Sequence, residues 1–272
     1  MQSIALDHGD LTFEKTGSGP PLLLLHGLLA TSFTWRHNLE ELGRHFTCYA
    51  VNAPGLGGSA PLPGFRAPLN RLADAMLDFV TALDLPETRV MGSSWGGSVA
   101  LLLALRSPPR VTRLVLAAPF HPWADLRPRQ RLLLTWPFSR VAGALLRRRS
   151  DAFFRRAVGD MMGDPTQLTA DAVRGYAAPL RSARATGRVF AGFVAGWRHE
   201  MAEIEATAAS LRQPTLLVWG DRDPVVSLAS GRRCAQHLPA AELAVLPGAG
   251  HLPHEEQPEA FLGKVLPFLL AK

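Results

Sequence analysis

The sequence predicts an α/β fold: a doubly wound, mostly parallel sheet carrying a helical cap insertion. Pro20–Gly27 (PPLLLLHG) is a continuous apolar run with no polar alternation, which suits a strand buried on both faces of a parallel sheet. Further strand-like runs alternate with helical stretches along the chain, the pattern of right-handed βαβ units. Between about Pro119 and Arg212 that alternation fails, and helical periodicity rich in tryptophan and arginine takes its place.

In chain order, Leu11–Thr16 alternates weakly like a strand, Gly17–Pro20 reads as a turn, and the run just described is the first buried strand. Ser32 to about Gly43 reads as a helix, followed by a strand at Thr47–Val51 that stops in NAPGLGGS (Asn52–Ser59). Leu69, Leu72, Met76, Phe79, Val80 and Leu83 keep one stripe of the next helix apolar. A strand at Thr88–Met91 leads into VMGSSWGGSV (Val90–Val99), whose helix runs to Ser107 and is stopped by Pro108 and Pro109. Val111–Ala118 is the next strand. After the insertion come a strand within Pro214–Asp223 (PTLLVWGDRD), a helix over Ser227–Leu238, a strand at Glu242–Leu246 and a closing helix over Pro258–Leu270. The expected division is a core of residues 1–118 and 213–272, with residues 119–212 forming a helical cap over the carboxyl edge of the sheet.

A chain of 272 residues, 47% hydrophobic, suits one domain of catalytic size. The net charge of +6 comes almost wholly from arginine, with only Lys15, Lys264 and Lys272 as lysines. No helix-turn-helix, RNP-like stretch or Cys/His finger spacing accompanies that charge, so no nucleic-acid partner is expected. Cys48 and Cys234 sit in apolar-periodic stretches without a disulfide framework, which fits a reducing compartment. The first fifteen residues carry Asp7, His8, Asp10 and Glu14 where a signal peptide needs an uninterrupted apolar segment. No run reaches the ~18 apolar residues of a membrane span. The expectation is a soluble, cytoplasmic protein.

In doubly wound sheets the ligand crevice lies beyond the carboxyl ends of the strands. Four strand ends stand out: His26-Gly27, the serine motif, Gly220-Asp221-Arg222-Asp223-Pro224, and Gly248-Ala249-Gly250-His251. A serine beside glycine ordinarily marks only a turn. A nucleophile on a tight strand-to-helix turn, however, needs small residues two positions to each side. Gly92 and Gly96 flank Ser94 in that way, whereas Ser93 has Met91 and Trp95, and Ser98 has Gly96 and Ala100. Ser94 is the candidate. Its hydroxyl needs a base, and an imidazole base needs an acid to orient it. On this scaffold the order is serine, acid, histidine. Asp223 and His251 complete it; Asp221 competes for the acid role and Asp125 is a more remote option. His254 is a decoy, expected with Glu255 and Glu256 to start the polar face of the final helix.

The remaining motifs are bland. His199-Glu200 has Glu203 where H-E-x-x-H requires a second histidine, so no metal is expected. Gly55, Gly57 and Gly58 do not form a dinucleotide fingerprint and read as a loop shaping a pocket wall. No cofactor is expected.

With LLLLHG followed by Trp35, then NAPGLGGS, GSSWGG, WGDRDPVV and LPGAGHLPHEEQPEAF in this order, the chain resembles the α/β-hydrolase family over nearly its whole length apart from the insertion. The resemblance implies Ser94 as nucleophile, Asp223 as acid and His251 as base. It also implies an oxyanion site made by the backbone N–H groups of Leu28 and Trp95, and a structural His26 that bonds loop backbone beneath that site. Asn52 stands where many members carry aspartate.

A serine nucleophile separates this chain from the family's dehalogenases and epoxide hydrolases. Those use an aspartate whose alkyl ester water can cleave; serine attack on an alkyl carbon would leave a stable ether. Acyl transfer follows. The expected activity is hydrolysis of carboxylic esters through an acyl-enzyme, acting on a small apolar substrate. The alternatives are a carbon–carbon bond hydrolase, a lactonase, a cofactor-free perhydrolase and, outside enzymes, an accessory protein of the magnesium-chelatase type. Proline iminopeptidases are similar around GSSWGG but differ where this chain has HGLLA.

Taken as one helix, Pro179–Glu205 puts Phe190, Phe193, Val194 and Trp197 on one side and Arg181, Arg184 and Arg188 roughly opposite. The apolar stripe, with Leu29 and Phe120, is expected to line the acyl pocket. Those arginines, together with Arg147-Arg148-Arg149 and Arg155-Arg156, are expected to meet solvent. The Trp95 indole has two readings, pocket wall and core packing. The sequence assigns no oligomeric state.

Overall fold

The computed structural model describes residues 1–63, 69–126, 150–181 and 183–271, with the side chains of 180–188 outside that description. Arg147, Arg148 and Arg149, and the side chains of Arg181, Arg184 and Arg188, therefore lie outside the described residues. Arg155 and Arg156 are exposed, as expected for a solvated face.

Eight strands form one sheet: β1 (Gln2–Ile4), β2 (Leu11–Thr16), β3 (Pro21–Leu25), β4 (Thr47–Val51), β5 (Thr88–Ser93), β6 (Val111–Ala117), β7 (Thr215–Gly220) and β8 (Ala241–Leu246). Their spatial order is β1-β2-β4-β3-β5-β6-β7-β8. β2 pairs antiparallel with β1 and β4, and the pairings from β4 through β8 are parallel. The predicted fold class is the observed one. β1 was not anticipated, since three residues are too few to show a period.

The apolar run that predicted β3 serves both faces of the sheet, because successive side chains alternate. Leu23 and Leu25 join one core cluster and Leu22 and Leu24 the other. The first cluster is covered by α2 (Leu69–Ala82) and α3 (Trp95–Arg106), with Cys234 from α7 (Leu228–His237). The second is covered by α1 (Leu39–Gly43) and α9 (Pro258–Leu270). α3 is buried from Trp95 through Ala104, which accounts for its nearly uninterrupted apolar sequence. Cys48 and Cys234 are buried free thiols, and burial pushes both up to about 12.

Two helix expectations need correction. Ser32–Gly43 is not one helix but a 3₁₀ turn, Ser32–Trp35, followed by α1. Distant partners pin that first turn: the Ser32 N–H donates to Asn52 Oδ1 at 2.8 Å, and Thr34 Oγ1 contacts both Tyr176 and His254. Likewise, Pro179–Glu205 divides into the end of α5 (Ala170–Arg181) and α6 (Ala183–Thr207).

Between β6 and β7 the described helices are α4 (Asp151–Gly159), α5 and α6. α4 and α5 build a cluster from Phe154, Val158, Ala172, Val173 and Tyr176, closed by Ala30 and Leu252 from loops of the sheet. α6 instead buries Val189, Phe193, Met201 and Ile204 in the first core cluster. Arg106 on α3 ties it down through Glu203 at 2.7 Å. Among the described residues no helix is long and apolar enough to cross a membrane.

Candidate active site

The β5–α3 turn determines how Ser94 is presented. Ser94 has φ 50° and ψ −117°, a conformation costly for a residue with a Cβ. The close packing requires glycine on both sides: a Cβ on Gly92 would overlap Gly96 O, and one on Gly96 would overlap the Leu25 and His26 carbonyl oxygens. The Ser94 N–H donates to Ala117 O on β6 at 2.8 Å, and its carbonyl accepts from the N–H groups of Gly97, Ser98 and Phe120. The Ser93 hydroxyl is buried, without a hydrogen-bond partner among the described residues.

The turns after β7 and β8 bring Asp223 and His251 to this serine. His251 Nε2 lies 2.9 Å from Ser94 Oγ and His251 Nδ1 lies 2.8 Å from Asp223 Oδ2. A carboxylate only accepts, so Nδ1 donates and Nε2 is left to accept the serine proton. Asp223 is itself held, its Oδ1 accepting from Val225 N at 2.7 Å and Val226 N at 2.9 Å. Such a chain of hydroxyl, imidazole and carboxylate can draw a proton from the hydroxyl and return it to a leaving group. Asp125 is elsewhere, paired with Arg233.

The His26-Gly27-Leu28 turn packs on the same serine, since a Cβ on Gly27 would lie 3.6 Å from Ser94 Cβ. His26 Nε2 accepts the Ala53 N–H at 3.0 Å, so its Nδ1–H is the donor to Gly27 O at 2.8 Å. Burial pulls its pKa down to about 4 and keeps it neutral. Its bonds are to loop backbone, as the resemblance implied. Leu28 and Leu29 are half-buried, and Leu29 adopts the left-handed region at φ 62°. Trp95 opens α3, where the first-turn N–H groups of a helix lack intrahelical acceptors.

The Trp95 indole is buried in the core. It borders a void of about 10 Å³ beside Leu25, Val51, Met76 and Val99, room for one water at most. Phe120, whose N–H reaches Ser94 O at 3.2 Å, is surrounded by Phe193 and Trp197, with ring centroids at 5.6 and 5.9 Å. Val194 and Trp197 are partly buried beside Phe193, and Phe190 is half-buried one turn earlier. The glycine-rich loop does line a cavity, about 570 Å³ between Gly55–Ser59, Phe33 and Pro179, but Ser94, Asp223 and His251 are not on its wall. Among the described residues no group of three His, Cys, Asp or Glu side chains is placed to hold a metal ion.

One correction concerns the segment after His251. His254-Glu255-Glu256 does not begin the polar face of the closing helix; it belongs to a separate turn, α8 (Pro253–Glu256), that faces inward. Pro258 occupies the first turn of α9, so Gln257 before it leaves the helical region, at φ −137° and ψ 63°. His254 is fully buried against Trp35, with Nε2 2.8 Å from Thr34 Oγ1, and burial pulls its pKa down to about 3. Glu255 receives Arg36 and the Tyr176 hydroxyl. Among the described residues Glu256 accepts only from backbone N–H groups. No local pattern in the sequence marks these residues, because their partners lie up to 220 positions away.

Comparison with known proteins agrees with this fold. The family profile of the alpha/beta hydrolase fold matches residues 20–258. A pimeloyl-[acyl-carrier protein] methyl ester esterase from Nitrosospira multiformis is 28% identical over 262 residues, covering 95% of this chain and 97% of that protein. Haloalkane dehalogenase 2 from Mycobacterium bovis is 27% identical, covering 95% of this chain and 91% of that one. The crystal structure of a hydrolase from Pseudomonas aeruginosa superposes with a TM-score of 0.81 at 29% identity, covering 99% and 98% of the two chains.

Proposed function

The chain belongs to the alpha/beta hydrolase fold family, and within it we propose a serine hydrolase that cleaves carboxylic esters of apolar acyl groups through an acyl-enzyme intermediate. The observation that carries this reading is the continuous hydrogen-bonded chain from Ser94 Oγ through His251 to Asp223.

Ser94 Oγ attacks the ester carbonyl carbon as His251 Nε2 takes the hydroxyl proton, and the resulting imidazolium is stabilised by Asp223. The N–H groups of Leu28 and Trp95 receive the oxyanion of the tetrahedral intermediate. Collapse breaks the bond to the alkoxy oxygen, which leaves as the alcohol with the proton from His251. Water, deprotonated by the same imidazole, then releases the acid and restores Ser94.

The nucleophile separates this protein from its dehalogenase relative, since serine displacing a halide would stop at an ether. The esterase relative supports the ester class, though not its own substrate here. The described helices between β6 and β7 serve as the cap, and the rings of Phe120, Phe193 and Trp197, tied to Ser94 through the Phe120 N–H, supply an apolar wall for the acyl group.

The test is a panel of p-nitrophenyl esters from acetate to octanoate and a dienoate-type anionic ketone, run with wild type and Ser94→Ala beside a fluorophosphonate probe. Turnover of the neutral esters and a covalent adduct on Ser94, both lost in Ser94→Ala, are expected. Labelling at Ser93 with Ser94 unmodified would overturn the assignment of the nucleophile. Turnover confined to dienoate-type anionic ketones would replace ester cleavage with carbon–carbon cleavage.

A further inference from the structure

The loop that carries His251 is held from behind by a single buried carboxylate. Glu256 Oε1 accepts from Gly250 N at 3.0 Å and Leu252 N at 3.2 Å, so the N–H groups on both sides of His251 converge on it. Its Oε2 accepts a second contact from Gly250 N at 3.0 Å and the Gly163 N–H at 2.7 Å. The N–H of His251 itself donates to Met161 O at 2.8 Å. Met161 and Gly163 belong to the segment after α4, in the insertion rather than the sheet.

The two segments approach too closely for side chains. A Cβ on Gly163 would overlap Gly248 O and lie 2.9 Å from Gly250 N; one on Gly250 would lie 2.6 Å from Met161 O. These bonds matter because the His251 loop lies beyond β8, outside the sheet ladder that fixes Ser94. Helix capping explains only part of the arrangement: Glu256 does reach back to the N–H of Leu252, the N-cap of α8, but its other acceptor contacts go to Gly250 and Gly163, outside that helix.

We propose that Glu256 is a positioning residue for His251, and that the Met161–Gly163 strap of the insertion completes its hold, so that the base is aligned only while the insertion is docked. The proposal rests on the serine-hydrolase reading for its effect on turnover. Its effect on the His251–Asp223 hydrogen bond is independent of that reading. The carboxylate touches no reacting atom; it fixes the backbone from which the imidazole projects, and a displacement of about 1 Å at such a site can cost on the order of 10²-fold in rate.

Two variants separate this from a purely structural role. Glu256→Gln keeps the shape but replaces one acceptor oxygen with an NH₂ facing N–H donors. Gly163→Ala pushes the strap off the loop without altering the carboxylate. Each is assayed on the best p-nitrophenyl ester, with active sites counted by fluorophosphonate titration, and each is examined by proton NMR for the downfield Nδ1–H of His251 bonded to Asp223. In both variants kcat per titrated site should fall on the order of 10²-fold with KM little changed, and the downfield signal should weaken or vanish. Wild-type kcat per titrated site together with an unchanged signal would overturn the proposal while leaving the hydrolase reading intact, even if both variants melt earlier. If wild type itself takes no label at Ser94, the ester reading fails, and the signal in the two variants alone decides whether Glu256 places His251. A variant that does not fold leaves the decision to the other; if neither folds, the two residues serve folding and the positioning claim is rejected.

Discussion

Asp221 and Asp223, two residues apart on the turn after β7, have different partners: Asp223 Oδ2 meets His251 Nδ1 at 2.8 Å in the interior, while Asp221 Oδ1 accepts the Gly248 N–H at 2.7 Å at the surface. The backbone donors Val225 and Val226 fix Asp223 in that orientation.

Asp223→Asn should therefore lower kcat by as much as about 10⁴-fold, since the amide allows the imidazole the wrong tautomer. Asp221→Asn should leave kcat within a small factor of wild type. Steady-state kinetics on one ester checks the ranking, and the reverse order would transfer the acid role.

Acyl selectivity should follow the rings around Phe120. Trp197 is the better probe because it is only partly buried, whereas truncating buried Phe193 would also cost about 3–5 kcal/mol of folding energy. Trp197→Ala should reduce the hexanoate-to-acetate ratio of kcat/KM by roughly tenfold or more, the scale of lost apolar contacts in a pocket. An unchanged ratio would place the acyl group elsewhere. For neutral esters, kcat/KM should also change little between about 0.01 and 0.1 M salt, a range over which the Debye length falls from about 30 to about 10 Å.

Asn52 both accepts and donates: Oδ1 takes the Ser32 N–H at 2.8 Å, and Nδ2 gives to Thr12 Oγ1 at 3.0 Å and to Gly57 O at 3.4 Å. An aspartate can do only the first. Asn52→Asp should cost about 1–3 kcal/mol by leaving a buried acceptor against Gly57 O, read as a lower urea midpoint at pH 7. A midpoint equal to wild type would show that the loop repacks around the acid.

Three buried histidines set an acid limit on stability. Burial is the largest cause in each case, and it pulls His26 down to about 4 and His121 and His254 to about 3. A group whose folded pKa is depressed stays neutral in the fold while the unfolded chain takes up a proton near 6.5. The stability from this neutral burial is complete above about pH 6.5 and is lost as pH falls toward 3–4, at about 1.4 kcal/mol per pH unit for each such group. His121 has no hydrogen-bond partner for either ring nitrogen among the described residues, so replacing it removes no hydrogen bond among them. His121→Leu should lose less stability than wild type between pH 7 and pH 5, as measured by urea midpoints at both values. Equal losses would place the acid sensitivity in other groups.

The fold was legible because parallel strands buried on both faces must be apolar throughout, and the runs at β3 and β7 have that character. The Ser94 register was legible for a steric reason that operates over two residues, and the structure shows the overlaps that a side chain at 92 or 96 would cause. Asp223 and His251 could be ranked from chain order and turn context, but the choice between Asp221 and Asp223 depends on which carboxylate the turn directs inward, and composition does not encode that.

The sequence by itself determined what depends on neighbours along the chain: the strand-helix alternation and the glycines that permit the tight turn around Ser94. Tertiary structure alone decided where the segment after His251 goes. His254, Glu255 and Glu256 read as a solvated helix start because they are polar, yet they fold inward, where Thr34, Arg36, Tyr176 and Gly163 await them. A polar side chain can be buried when distant groups satisfy its hydrogen bonds, and no local window of sequence contains those groups. The same long-range pairing ties the insertion to the histidine loop through Met161 and Gly163, a contact between two stretches that carry no mark of each other in the sequence.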